Sequence, residues 1–260
     1  RPAQDRAGND TEHTMTQRTA LVSGGIGGIG TSICLTLHSA GYRVVALDLD
    51  RSAERVERFA AATRGLDVRF RPLDVTDPAA CAEAVHEVES ANGSVDALVN
   101  AAGITRDATL RKMDPRDWDD VIRVNLGSVF NLCRPAVEGM GTRRFGRIVN
   151  ISSINGQTGQ FGQTNYAAAK AGMHGFTMSL AREVARLGIT ANSISPGYID
   201  TEMTRAIRPD IREQIVAGIP VGRMGDPTDI ARVVGFLCEP ASGFITGANI
   251  PVNGGQFMSF

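Results

Sequence analysis

Lysine is nearly absent from this chain. Of its 27 basic residues only Lys112 and Lys170 are lysine, and the rest are arginine. Tyrosine is scarce too, with three in 260 residues. There are four cysteines, Cys34, Cys81, Cys133 and Cys238, far apart and without a Cys-x-x-Cys. That spacing argues against a thiol redox pair or a thiolate metal site and suits small apolar filler in a reducing cytoplasm. The histidines, His13, His38, His86 and His174, are isolated and lack metal-ligand spacing, so no metal site is expected. A formal net charge of −1 provides no strong field for nucleic acid or a membrane surface. No apolar run is long enough to span a membrane. Hydrophobic residues still make up 42% of the chain, enough for a buried core.

Residues 1–14, RPAQDRAGNDTEHT, are polar, without periodicity and without the apolar centre of a signal peptide. They read as an N-terminal extension, with Met15 as a natural start and 15–260 as a single domain. From there short apolar runs alternate with amphipathic ones. Strands are expected at 19–22, 43–47, 68–71, 97–100, 147–151, 190–195 and 248–251. Helices are expected to about residue 40 after the first strand, then over 52–63, 78–91, 165–187 and 227–237, with two more around Trp118 and Val129. Such alternation predicts an α/β fold, a parallel sheet covered by helices on both faces.

One of the two lysines follows one of the three tyrosines by four residues, in Tyr166-Ala-Ala-Ala-Lys170. On a helix that spacing puts both side chains on one face, a turn apart. A phenol with a pKa of roughly 10 is a poor acid near neutrality. A neighbouring ammonium favours the phenolate and lowers that pKa. The pair suits proton exchange with a carbonyl or alcohol oxygen. The bland alternative is a chance pair on a solvated helix.

Ser23-Gly-Gly-Ile-Gly-Gly-Ile-Gly30 joins the first strand to the first helix. It fits G-x-G-x-x-G from Gly25 and G-x-x-x-G-x-G from Gly24. In a strand–turn–helix context, glycines allow close approach of a pyrophosphate to free N–H groups at the helix start. Asp48 ends the second strand about twenty residues on. A carboxylate there can accept hydrogen bonds from both adenosine ribose hydroxyls and would repel a 2′-phosphate. The glycine turn contains no basic residue, and the first after Asp48 is Arg51. NADH is therefore the expected cofactor, with NADPH left open by Arg51. Asp48 could instead cap the next helix, although Asp50 and Ser52 are better placed to do so.

Several motifs occur in order: the glycine turn, Asp74-Val75, Asn100-Ala-Ala-Gly103, Asn125, Ser153, Tyr166 with Lys170, and Pro196-Gly-Tyr-Ile199. Together they resemble the short-chain dehydrogenase/reductases from about Met15 to the C-terminus. The resemblance implies a single-domain Rossmann fold with a doubly wound seven-stranded parallel sheet. Ala101 departs from the commoner second asparagine of Asn-Asn-Ala-Gly, removing a side-chain hydrogen bond but not the close-packed backbone. A narrower likeness lies in Gly103-Ile-Thr-Arg-Asp107, Arg111-Lys-Met113, Gly146-Arg-Ile-Val-Asn-Ile-Ser-Ser153 and Asn155-Gly-Gln157. Most specific is Gly159-Gln-Phe-Gly-Gln-Thr-Asn-Tyr166. These stretches look like the acetoacetyl-CoA reductases of polyhydroxybutyrate synthesis. That group commonly uses NADPH, so Asp48 marks a departure.

The resemblance implies roles. Tyr166 would protonate the ketone while hydride leaves the nicotinamide. Lys170 would lower the Tyr166 pKa and hold the nicotinamide ribose. Ser153 would bind the carbonyl, and Asn125 would help carry a water chain from Lys170. Taken alone, Ser153 reads as a turn hydroxyl and Asn125 as a helix kink or cap. The cofactor would lie on Gly24, Gly25, Ile26, Gly28, Ile29, Gly30, Asp48, Asp74, Val75, Asn100, Ala101, Gly103, Tyr166, Lys170, Pro196, Gly197, Ile199 and Thr201. Gln160, Phe161 and Gln163, with Gly197 and Tyr198 opposite, would shape the acyl pocket. Phe161 and Tyr198 could equally be loop packing. Asp107 and Arg208 would contact the CoA arm, and Thr201 to about Ala217 forms a candidate lid. The partner is then an acyl-CoA, with no nucleic acid or membrane, and the assembly a cytoplasmic homotetramer. A 3-oxoacyl-[acyl-carrier-protein] reductase is the alternative, its acidic carrier docking on Arg111, Lys112, Arg143 and Arg144. A catalytically idle dinucleotide-binding protein is more remote.

Overall fold

The strands are apolar runs because both of their faces are covered. Along Thr19–Ser23 (β1), Ala20 and Val22 pack into one core while Leu21 packs into the other. Val44 and Ala46 alternate with Val45 and Leu47 in the same way along Arg43–Asp48 (β2). In this computed structural model, residues 17–258 are described, except Asp50. The 1–14 extension and Met15 lie outside the described residues.

Among the described residues, seven parallel strands form one sheet in the order β3-β2-β1-β4-β5-β6-β7. The other five are Val68–Pro72 (β3), Ala97–Asn100 (β4), Gly146–Ile151 (β5), Ile189–Pro196 (β6) and Asn249–Val252 (β7). The order reverses between β1 and β4, opening a crevice beyond their C-terminal ends. This is the expected doubly wound Rossmann arrangement.

Gly28–Ser39 (α1) and Pro227–Cys238 (α10) cover one face through Ile33, Leu37, Ile230 and Val234. Pro78–Asn92 (α3), Ser128–Arg143 (α5) and Thr164–Val184 (α7) cover the other through Val85, Leu132, Met140 and Met173. Helix starts follow local chemistry. Asp77 accepts from Ala79 and Ala80 N–H groups with Pro78 in the first turn, and Ser52 caps Ala53–Ala62 (α2).

Two features differ from expectation. The two helices expected around Trp118 and Val129 are present, but they are joined without a break. Pro115–Ile122 (α4) continues into α5 through a π turn at Arg123–Gly127. A short helix, Asn155–Thr158 (α6), was not anticipated; four residues are too few to show periodicity.

Candidate active site

The functional candidates gather because parallel strands all end on the same side. Gly24, Asp48, Asn100, Ser153 and Gly197 end or follow β1, β2, β4, β5 and β6, and Asp74 lies two residues beyond β3. The crevice at the β1/β4 reversal therefore collects them.

Gly24 has φ +67°, and a Cβ there would meet the Ala101 carbonyl at 2.7 Å. A Cβ on Gly30 would lie 2.0 Å from the Gly24 carbonyl. Only glycine allows this turn to fold back on helix α1. The Ser23 hydroxyl accepts from the Ala101 and Ala102 N–H groups, so the alanine-containing loop is tied to the turn by its backbone. Gly27 caps α1 without a side chain, and no acidic residue stands in its first turn. A twelve-residue helix with no side-chain cap, behind a glycine cradle, fits the pyrophosphate of a dinucleotide.

At the adenosine end, Arg51 is the first basic residue after Asp48 in the sequence, but Arg55 makes the ion pair. Its Nη2 lies 3.3 Å from Asp48 Oδ2, while Asp48 Oδ1 accepts from the Leu49 N–H at 2.8 Å. The signal was available in the sequence. Helical side chains lean toward the N-terminus, so an arginine in the first turn of α2 reaches back to the end of β2. Asp74 forms a tight turn with Thr76, whose hydroxyl and N–H donate to Oδ1 and hold the carboxyl below its ordinary range. Val75 presents its carbonyl to Asn131 Nδ2 at 3.0 Å.

Tyr166 and Lys170 stand one turn apart on α7. Asn165, just before them, is fully buried, accepts from the Tyr166 N–H and donates to the carbonyls of Arg106 and Asp117. The sequence reading gave it no role, although its place before the tyrosine was a cue. Lys170 is buried; its Nζ donates to the Ile151 carbonyl at 2.8 Å and lies 5.6 Å from the Tyr166 ring centroid. Burial pushes its pKa down to about 8. The phenol is raised instead of lowered. Burial is the main cause, Asp107 adds to it, and the Ser153 hydroxyl opposes both.

Ser153 Oγ accepts from the Asn155 N–H at 3.1 Å. Its neighbour Ser152 donates to the Lys170 carbonyl at 2.9 Å and lies 3.2 Å from His174 Nε2. His174 Nδ1 lies 3.1 Å from Ser193 Oγ. This histidine is therefore not isolated. Burial, and then the Lys170 charge, hold its pKa down. Asn125 is fully buried inside the π turn. Its Oδ1 would lie 3.1 Å, and Lys170 Nζ 3.6 Å, from a Cβ on Gly103. Asn100 donates to Asn150 Oδ1 at 2.8 Å, which links β4 to β5 below the site.

The candidates for substrate contact form a connected loop system. Asp107 accepts from Gln163 Nε2 at 2.9 Å, and Gln163 Oε1 accepts from Asn155 Nδ2 at 2.9 Å. Asp107 and Gln163 thus hold each other. Gln160 is exposed and Phe161 is 86% exposed, so Phe161 is not packed within the loop. Tyr198 is half-buried, and its carbonyl accepts from the Gly225 N–H at 2.9 Å. Gly197 packs on Asn253, where a Cβ would come within 2.8 Å, and Pro196 and Ile199 are buried. The lid stretch forms two short helices, Glu202–Arg205 (α8) and Pro209–Ala217 (α9). Thr201 sits over the glycine turn, 3.2 Å from where Gly28 would carry a Cβ. Arg208 is an exposed arginine paired with Asp210 at 3.4 Å. Of the basic quartet, Arg143 is engaged by Glu89, and Arg144 donates to the Arg186 carbonyl. Only Arg111 and Lys112, on an exposed 3-10 turn, keep the character expected of a docking patch.

Comparison with known proteins agrees with this geometry. Residues 24–256 match a family model described as enoyl-(acyl carrier protein) reductase. An acetoacetyl-CoA reductase from Allochromatium vinosum is 54% identical over 93% of this chain and 99% of its own length. One from Cupriavidus necator is 51% identical over 94% of this chain and all of its own. A 3-oxoacyl-[acyl-carrier-protein] reductase from Escherichia coli is 44% identical over 93% of this chain and 98% of its own. With the doubly wound sheet, the glycine turn and the Tyr166–Lys170 face together, this chain belongs to the short-chain dehydrogenase/reductase family, as a nicotinamide-dinucleotide oxidoreductase acting on a CH–OH group.

Proposed function

We propose that this protein is an NADH-preferring acetoacetyl-CoA reductase, forming (R)-3-hydroxybutyryl-CoA for polyhydroxybutyrate synthesis. The observation that carries the reading is the near full-length likeness to relatives of that name. The residues of the site suit reduction of a ketone. Bound NADH supplies the hydride. Tyr166, kept protonated by burial, delivers the proton to the ketone oxygen. Ser153 orients that oxygen by hydrogen bonding. Lys170 holds the nicotinamide ribose and restores the Tyr166 proton, with Asn125 fixing the loop beside it. Asp48 accepts from the adenosine ribose and supports the preference for NADH.

The same residues would serve a 3-oxoacyl-[acyl-carrier-protein] reductase, and the E. coli relative supports that second reading. A matrix of kcat/KM over acetoacetyl-CoA and the carrier-protein thioester, each with NADH and NADPH, tests both. The highest value is expected for acetoacetyl-CoA with NADH. A carrier thioester favoured tenfold would transfer the assignment, and no turnover at all would leave only a dinucleotide-binding protein.

We also infer a cytoplasmic homotetramer. Exposed Phe130 and Met178 on α5 and α7 support one two-fold interface. Exposed Phe236 and Phe244, near the C-terminal stretch from Gly247, support another. Light scattering that gave a monomer mass at micromolar concentration would exclude it.

A further inference from the structure

Arg55 projects from the first turn of α2 across the mouth of the adenosine site. Its Nη2 contacts Asp48 Oδ2 at 3.3 Å on one side. On the other it lies 3.6 Å from where a Cβ on Gly27 would stand. Gly27 is the cap of the phosphate-facing helix. The guanidinium therefore spans the gap between the carboxylate at the end of β2 and the glycine turn. Arg58, one turn further along α2, is drawn away by Glu54 and Glu202. That leaves Arg55 as the cation held over the turn.

The consequence depends on what the adenosine ribose carries. A free diol needs carboxylate acceptors, and Asp48 has both oxygens engaged, by the Leu49 N–H and by Arg55. The diol must share Oδ2 with Arg55 or displace it. A 2′-phosphate meets the same carboxylate with like charge. Arg55 is 38% exposed and so is free to turn from Asp48 to such a phosphate. A guanidinium forms strong paired hydrogen bonds to phosphate. We propose that Arg55 is a specificity-determining residue, which masks the Asp48 charge and lets the site accept a 2′-phosphorylated adenosine. This rests on the reading of Asp48 as the ribose acceptor, and it makes the NADH preference a balance between two residues.

Binding measurements test it without turnover. ADP and 2′,5′-ADP would be titrated calorimetrically, and NADH and NADPH by nicotinamide fluorescence. The wild type, Arg55→Gln, Arg55→Lys and Asp48→Gly would be compared. Arg55→Gln should weaken 2′,5′-ADP and NADPH by about tenfold to a hundredfold and leave ADP and NADH within a few-fold. Arg55→Lys should retain part of the loss, and the salt dependence of 2′,5′-ADP binding should flatten in Arg55→Gln. If Arg55→Gln leaves the ratio of 2′,5′-ADP to ADP affinity unchanged while Asp48→Gly shifts it, the proposal fails and the Asp48 reading stands. If Arg55→Gln shifts the ratio in a wild type that shows no NADH preference, the proposal stands and the preference fails. If neither variant shifts it, both are wrong. Circular dichroism would verify that each variant is folded, and an unfolded Arg55→Gln would leave Arg55→Lys to decide.

Discussion

Asn125 and Ile104 are joined at both ends of the asparagine amide. Oδ1 accepts from the Ile104 N–H at 2.7 Å, and Nδ2 donates to the Ile104 carbonyl at 2.8 Å. A side chain committed twice to one backbone residue is a brace. It pins the loop after β4 beside Lys170, and the π turn supplies the room. Asn125→Ala should leave a buried N–H and carbonyl unpaired and cost about 2–4 kcal/mol of stability. Loss of loop position should also lower kcat on the order of a hundredfold. Urea unfolding and steady-state kinetics read both, and a stability loss with unchanged kcat would make the brace purely structural.

Tyr166→Phe removes the one hydroxyl that α7 aims at the Ser153 side of the site. General acid catalysis contributes roughly 10²–10⁴-fold, so kcat for ketone reduction should fall by at least the lower figure. NADH affinity by fluorescence titration should remain near wild type, because the ring stays in place. A variant with near-normal kcat would end the assignment of Tyr166 as proton donor.

The strands and the Tyr166–Lys170 face were legible because they depend on local pattern. A sheet buried on both faces must be written as apolar runs, and a helical pair must be four residues apart. Strand ends moved by only a residue or so, as at Ile189–Pro196. What could not be read depends on reach or on distant partners. Arg55 lies seven residues beyond Asp48 and meets it only because α2 turns back. The Asp107–Gln163 contact joins residues 56 apart. The bond of Ser193 with His174 exists only once β6 lies beneath α7. Phe161, an aromatic in a loop, gave no hint that it would be 86% exposed.

Lys170 gives the reaction a predictable pH limb. Its folded pKa is about 8, lowered by burial. If the charged amine is needed, kcat/KM for reduction should decline as pH rises through about 8. Tyr166, whose phenol is raised above its ordinary value, should not contribute there, and His174, lowered, titrates on the acid side. The stability linkage has the same origin and the opposite direction. Between about 8 and the unfolded value of roughly 10.4, the unfolded chain binds the extra proton. This site therefore destabilises the fold below about 8, and that cost is relieved as pH climbs. Lys170→Met should abolish both activity and this rise in stability, measured by urea midpoints at pH 7 and pH 10. An activity profile flat from 7 to 9 would contradict the requirement for charge.

Arg147 separates stability from chemistry. It is buried at the start of β5 and donates to the carbonyls of Glu239, Pro240, Gly146 and Gly188. Its guanidinium also lies 4.4 Å from the Phe145 ring centroid. No carboxylate is paired with it among the described residues, so its charge is balanced by carbonyl dipoles and the Phe145 ring, and burial lowers its pKa. These bonds fasten the residues after α10 and the turn before β6 to the N-terminal end of β5, away from the crevice. Arg147→Met would leave the carbonyls unpaired and should cost about 3–5 kcal/mol, a loss comparable to breaking a buried ion pair. Ser153 is six residues further along, about 20 Å at strand rise, beyond the opposite end of β5. The urea midpoint should therefore drop sharply while kcat at low temperature stays within about twofold. A comparable fall in kcat for fully folded protein would mean that the far end of β5 is coupled to the catalytic serine.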